Sequence, residues 1–365
     1  MTTARPTMLT YVHETPSVLR AQLESDAAAP LARAFLEGTH TRVRIVACGS
    51  SKNAATIARP YMRSVLGREV DIVEPYTFCA YEREVTSDEF AFVVSQSGYS
   101  TNALAALAAI REEGERAIGV TGDVASDFAG ASDLLVDYGV GVELVGYVTK
   151  GVSALANFLC LFALDVARAE GRIDDAERER EVARLSGVAD ALADVAAQAP
   201  GALAARYKEL TSLERVFMVG AGANYGIACE GALKFGECLQ IPATALELEE
   251  YLHGPNLQLS PDYAVFFNLV GARDHARGRQ LVEATRLVTD HVFVLTDDPA
   301  SADPDVALAP QGDSLAAPLA LLPYYQTLAY QLTDDRHLWH KHPLVSAFDR
   351  AVSGKSENYV DREVL

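Results

Sequence analysis

The chain has 365 residues, 49% of them hydrophobic, enough for one large core or two of ordinary domain size. Its 50 acidic and 31 basic residues give a net charge of −19, which argues against nucleic acid or an anionic membrane as partner and requires any anionic ligand to find a locally positive pocket. Five scattered cysteines form no CxxC pair, no charged-then-apolar leader opens the chain, and no unbroken apolar run reaches membrane-spanning length, so the expectation is a reduced, cytoplasmic protein without disulfide, zinc or membrane.

Taken in chain order, Tyr11–Leu19 reads as a short N-terminal arm and helix. Val43–Ser51 (VRIVACGSS) is a strand running into a glycine-serine turn. The most pointed signal follows in Phe92–Ser100 (FVVSQSGYS), where an apolar run stops abruptly in hydroxyls and an alanine-rich helical pattern starts at Thr101. A strand, a tight loop and a helix start in that order aim backbone N–H groups, the helix dipole and several hydroxyls at one point, which suits a phosphate dianion. An ordinary capped helix needs one hydroxyl, and this turn offers three serines. Further strands are expected at Ala117–Thr121 and Asp133–Val136, and a charged, alanine-rich linker helix at Asp174–Gln198.

The pattern then repeats. Val216–Asn224 (VFMVGAGAN) copies the first strand and turn, with Gly222 lying 173 residues after Gly49. Ala264–Gly271 follows Phe92–Gly98 at the same offset, and Val292–Thr296 follows Ala117–Thr121 at 175. Short strands recur at Asp305–Leu308, with helical patterns at Arg277–Thr289 and Leu319–Leu332, Pro323 expected to kink the latter. Alternation of strands and helices in each half predicts an α/β protein of two tandem, doubly wound parallel sheets of flavodoxin-like type, related by an internal repeat. The expected boundaries are an arm at 1–28, a first domain at 29–172, the linker helix at 173–199, a second domain at 200–344 and a tail at 345–365.

The halves differ chemically. Where the first has Ser95–Ser100, the second has Asn268–Arg273 (NLVGAR), so one phosphate site per chain is expected, in the first half. The second half offers Glu230-Gly-Ala-Leu-Lys-Phe-Gly-Glu237, followed by Leu246–Pro255 (LELEEYLHGP). Glu230, Lys234 and Glu237 share a helix face, and their small apolar flanks favour burial over a solvated ion-pair ladder. A half-buried carboxylate beside a lysine can have its pKa set for proton transfer. His253, in a turn closed by Gly254-Pro255, reads equally as a structural residue or a functional one.

Six motifs in order resemble the sugar isomerase (SIS) domain family: Cys48-Gly-Ser-Ser51, Ser95-Gln-Ser-Gly98, Thr149-Lys150, Glu230-Gly-Ala-Leu-Lys234, Glu237 and His253-Gly-Pro255. The similarity covers roughly 43–355, in the tandem layout of the isomerase half of glucosamine-6-phosphate synthase and of glutaminase-free fructosamine-6-phosphate deglycases. The resemblance implies that Ser51, Ser95, Gln96, Ser97 and Ser100 hold a sugar 6-phosphate and its neighbouring hydroxyls, with Thr149 and Lys150 in the same binding set. It further implies that Glu237 carries a proton between C1 and C2 with Lys234 beside the carbonyl end. His253 would open the sugar ring, reaching in from the partner of a homodimer. Lys355, in Val352–Ser356, resembles a tail lysine able to form a Schiff base with the open ketose.

The chain begins Met-Thr-Thr-Ala, without the N-terminal cysteine nucleophile of a glutaminase domain, and Trp339–Leu344 (WHKHPL) looks more like the deglycases. The expectation is a metal- and cofactor-free enzyme that converts a 6-phosphorylated ketosamine or amino sugar to a sugar 6-phosphate and a free amine. Aldose–ketose isomerisation is the alternative, and a non-catalytic phosphosugar sensor the alternative of another class. His337, His340 and His342 could in principle bind a metal, but with neither a cysteine nor a regular i, i+4 pair among them none is expected.

Overall fold

The computed structural model describes residues 5–340 and 342–360; residues 1–4, Lys341 of the Trp339–Leu344 motif and the last five residues of the tail lie outside the described residues. Two compact units result. One contains the chain up to Ser17 and Ala183–Trp339, the other Val18–Val182 and the chain from His340.

The chain opens with α1 (Met8–Leu23) and α2 (Ala29–Leu36), then alternates through β1 (Arg42–Val46), α3 (Gly49–Leu66), β2 (Glu69–Val73), α4 (Pro75–Tyr81) and β3 (Glu89–Val94). It continues with α5 (Thr101–Glu112), β4 (Ile118–Thr121), the single turn α6 (Phe128–Ala131), β5 (Leu134–Asp137) and α7 (Lys150–Ala169). The strands form a parallel sheet in the order β2-β1-β3-β4-β5, with Val43 in register with both Val70 and Phe90. Every residue of β3 and β4 is buried, as expected of central parallel strands covered on both faces. Helix α7 is long and apolar enough to cross a membrane, but it is the core helix of its unit and packs along α3 and α2.

After α8 (Asp175–Ala205) and the turn α9 (Tyr207–Leu210), the second set runs β6 (Val216–Gly220), α10 (Ala223–Lys234), β7 (Ala243–Glu247), β8 (Ala264–Leu269), α11 (Ala272–Thr285), β9 (Val292–Thr296), β10 (Val306–Ala307) and α12 (Leu322–Asp335); the exposed α13 (Pro343–Ala351) follows in the stretch that belongs with Val18–Val182. Its parallel sheet has the order β10-β9-β8-β6-β7. Counted from the first strand of each set, both sheets run second, first, third, fourth, fifth, so the repeat inferred from spacing is a repeat of topology. Phe217, Tyr251, Tyr263 and Phe267 interlock in the second core, with Phe217 and Tyr263 centroids 4.4 Å apart.

Pro323 does not kink a helix. Ala317–Leu321 forms a 3-10 turn and α12 starts at Leu322, which puts Pro323 in the first helical turn, where its missing N–H costs nothing.

Candidate functional site

In a sheet of this order, the helices after the first and third strands leave on opposite sides, opening a crevice at the strands' carboxyl ends. In the first unit that crevice lies beyond Val46 and Val94. Gly98 makes the turn possible: its φ is +67°, and a Cβ there would fall 1.8 Å from Ser126 Oγ. Ser95 Oγ accepts from Gly98 N at 3.2 Å and lies 3.4 Å from Ser100 Oγ, while Ser97 Oγ accepts from Tyr99 N at 3.4 Å. The resulting cavity of about 240 Å³ is lined by Ser51, Ser95, Gln96, Ser97 and Ser100 among others.

The tail reaches this cavity through an isolated β-bridge. Lys355 bridges Ser100 in antiparallel fashion, Thr101 N donates to Gly354 O at 3.1 Å, and Ser356 N donates to Tyr99 O at 2.9 Å. These bonds deliver the Lys355 ammonium to the serines, 2.8 Å from Ser97 Oγ and 3.4 Å from Ser100 Oγ. Tyr359 closes over it, its ring centroid 5.2 Å from Nζ and 5.7 Å from that of Tyr99. In a chain of charge −19, Lys355 brings a cation to the serine hydroxyls of a cavity whose lining also holds Asp123 and Glu143.

Thr149 and Lys150 do not line the cavity. They start α7, and their backbone N–H groups donate to the carboxylate of Glu143 at 3.2 and 2.6 Å. Gln96 Nε2 donates to the same carboxylate, which lines the cavity. Burial raises the pKa of Glu143 against the lowering effect of its hydrogen bonds and of Lys150. Glu143 went unnoticed in the sequence, and so did Tyr359 and Asp123, which also line the cavity. An acidic residue shortly before a helix start was the available signal for Glu143.

In the other unit, α10 ends at Lys234 and passes into a π-helical turn, Phe235–Leu239, a form that recurs at functional sites. Lys234 Nζ lies 2.6 Å from Glu237 Oε2 and 3.3 Å from Glu230 Oε1. Lys234 and Glu230 are fully buried, whereas the Glu237 side chain retains 31% exposure. Burial works to lower the pKa of Lys234, but Glu230 and Glu237 outweigh it and the net shift is upward. Lys234 is therefore a fixed cation beside an accessible carboxylate, not a base. His253 is exposed on its turn, followed by Gly254 at φ +118°.

Residues 36–164 match the model of the SIS domain. A glutamine–fructose-6-phosphate aminotransferase [isomerizing] of Gloeobacter violaceus is 28% identical over 350 residues, covering 91% of this chain and 56% of that protein. The corresponding protein of Symbiobacterium thermophilum is 32% identical over 260 residues, 68% of this chain and 42% of its own length. The chain thus spans about half the length of the curated relatives it matches. In fold it is similar to the C-terminal domain of glucosamine-fructose-6-phosphate aminotransferase from Francisella tularensis, with a TM-score of 0.80 and 18% identity over 90% of this chain and 96% of that one.

Proposed function

We propose, for a chain that carries a SIS domain and is homologous to the isomerase half of glutamine–fructose-6-phosphate aminotransferases, that it is an enzyme acting on a 6-phosphorylated ketosamine or amino sugar. The observation that carries this reading is the Lys355 ammonium held 2.8 Å from Ser97 Oγ in a cavity lined by serines. Hydroxyls, a cation and the N-terminus of α5 together suit a phosphate, and the relatives' name joins fructose 6-phosphate, amino transfer and isomerisation.

In this reading Ser51, Ser95, Ser97 and Ser100 bind the phosphate, which orients the sugar without itself speeding the chemistry. His253, contributed by the partner of a homodimer, opens the ring. Glu237 then removes a proton from C1 of the open ketosamine, and Lys234 stabilises the charge that develops on the carbonyl side. Return of the proton to C2 leaves an imine at C1, and water cleaves it to an aldose 6-phosphate and the free amine. Lys355, at Ser97 and Ser100, would balance the phosphate charge; the alternative is a Schiff base with the carbonyl, formed with release of water.

A product assay with fructose 6-phosphate, glucosamine 6-phosphate and a panel of fructosamine 6-phosphates tests the proposal. Free amine is the expected product. Interconversion of ketose and aldose phosphates without amine release would make the chain a simple isomerase. Thermal stabilisation with no turnover of any compound would make it a sensor and overturn the enzymatic reading.

A further inference from the structure

The cavity carries unlike charges on different parts of its wall. Lys355 and the serines supply the positive, hydroxyl-rich part. Glu143 lies on the wall with Gln96, in the stretch that also brings Val142, Val145 and Val148 to the lining. Its carboxylate accepts from three donors, the Gln96 amide and the backbone N–H groups of Thr149 and Lys150. The hydrogen-bond donors it already has are all neutral. Burial raises its pKa against the lowering pull of those bonds and of Lys150.

We propose that Glu143 is the specificity-determining residue of this cavity and recognises an ammonium group on the substrate, which selects phosphosugars bearing an amine over their hydroxyl counterparts. The inference rests on the reading of the serine loop as the phosphate site. A zwitterionic substrate, carrying both a phosphate and an ammonium, matches a lining that holds both Lys355 and a carboxylate. A neutral hydroxyl could fill the same space but would leave the carboxylate unbalanced. Hydrogen bonds between charged partners are roughly twice as strong as neutral ones, so the preference should amount to roughly tenfold or more in affinity.

The test is calorimetric binding of polyol phosphates, which lack a carbonyl and cannot turn over. 1-Amino-1-deoxyglucitol 6-phosphate and 2-amino-2-deoxyglucitol 6-phosphate are compared with glucitol 6-phosphate. The wild-type protein should bind at least one amine about tenfold more tightly than the polyol. In Glu143→Gln the preference should fall to within about threefold, with the affinity for glucitol 6-phosphate nearly unchanged. Glu143→Asp, which keeps the charge, should retain part of it, and thermal melting confirms that both variants fold. Equal loss for all three compounds would reduce Glu143 to a brace for Gln96 and α7, and overturn the proposal. A preference that survives Glu143→Gln but disappears in Asp123→Asn would move the role to Asp123 and overturn it as well. If the double variant Ser97→Ala, Ser100→Ala binds all three as the wild type does, it is the phosphate reading that fails, and the inference falls with it.

Discussion

The two sheets share one strand order and end in opposite ways. Beyond β1 and β3, the strand ends open into a cavity lined by serine hydroxyls and reached by Lys355. Beyond β6 and β8, the equivalent ends are tied shut by Asp297, whose carboxylate accepts from Gly271 N at 2.8 Å and Gln311 N at 2.7 Å and meets His275 Nε2 at 2.7 Å. Asn224 adds bonds to Val270 O and Asp274 Oδ2, both at 2.9 Å. At the offset of 175 that relates Thr121 to Thr296, Asp297 stands in the place of Gly122. A Cβ on Gly122 would lie 2.7 Å from Val140 Cγ1, so the first half has no room for such a plug. At corresponding strand ends, one half thus presents hydroxyls and a lysine, and the other a carboxylate bonded within the protein. The second half has its buried Lys234, paired with Glu230 and Glu237, elsewhere, at the end of α10.

The largest expected effect tests that division of labour. Glu237→Gln should lower kcat by about 10²–10⁴, the usual worth of a general base, while calorimetry shows phosphosugar binding nearly intact. Turnover that survives would put the base elsewhere. Ser97→Ala with Ser100→Ala should do the reverse, raising KM by roughly 10–100-fold with a smaller change in kcat. An unchanged KM would remove the anion site from the first half. Asp297→Ala should leave KM alone and cost about 2–3 kcal/mol in denaturant unfolding, because Gly271 N and Gln311 N lose their acceptor.

The smallest effect is in acid. Burial works to raise the pKa of Glu209, but its bonds to Arg206 and His291 outweigh this and leave it lowered. Its contribution to stability is therefore complete above the ordinary carboxylate range and is lost as pH falls through the native value. Glu143 is shifted the other way by burial, so acid removes no stabilisation through it. The melting-temperature gap between wild type and Glu209→Gln should shrink on acidification, whereas no such loss is expected for Glu143→Gln.

Central strands and the serine loop were legible because burial on both faces demands unbroken apolar runs, and a strand that ends in clustered hydroxyls is uncommon. The edge strands β2 and β7 were not seen. Glu69–Val73 is an alternating, half-exposed run, and Ala243–Glu247 merges into the acidic segment after it, so neither shows the apolar signature of its neighbours. The pairing of Lys234 with Glu237 follows from helical spacing, but the π-turn that sets their geometry leaves no mark in residue type. Glu143 and Tyr359 were missed for a different reason: their parts depend on contacts across the fold, from Gln96 to Glu143 and from Tyr99 to Tyr359, and single-segment patterns carry no information on those.

The central claim is that Glu237 moves a proton between C1 and C2 of a phosphosugar seated on the serine loop. The most direct measurement is nuclear magnetic resonance of fructose 6-phosphate and a fructosamine 6-phosphate incubated with the enzyme in deuterium oxide. Deuterium appearing at C1 or C2 with the wild type and absent with Glu237→Gln is the expected result. No incorporation with either compound, or the same incorporation in the variant, would contradict it.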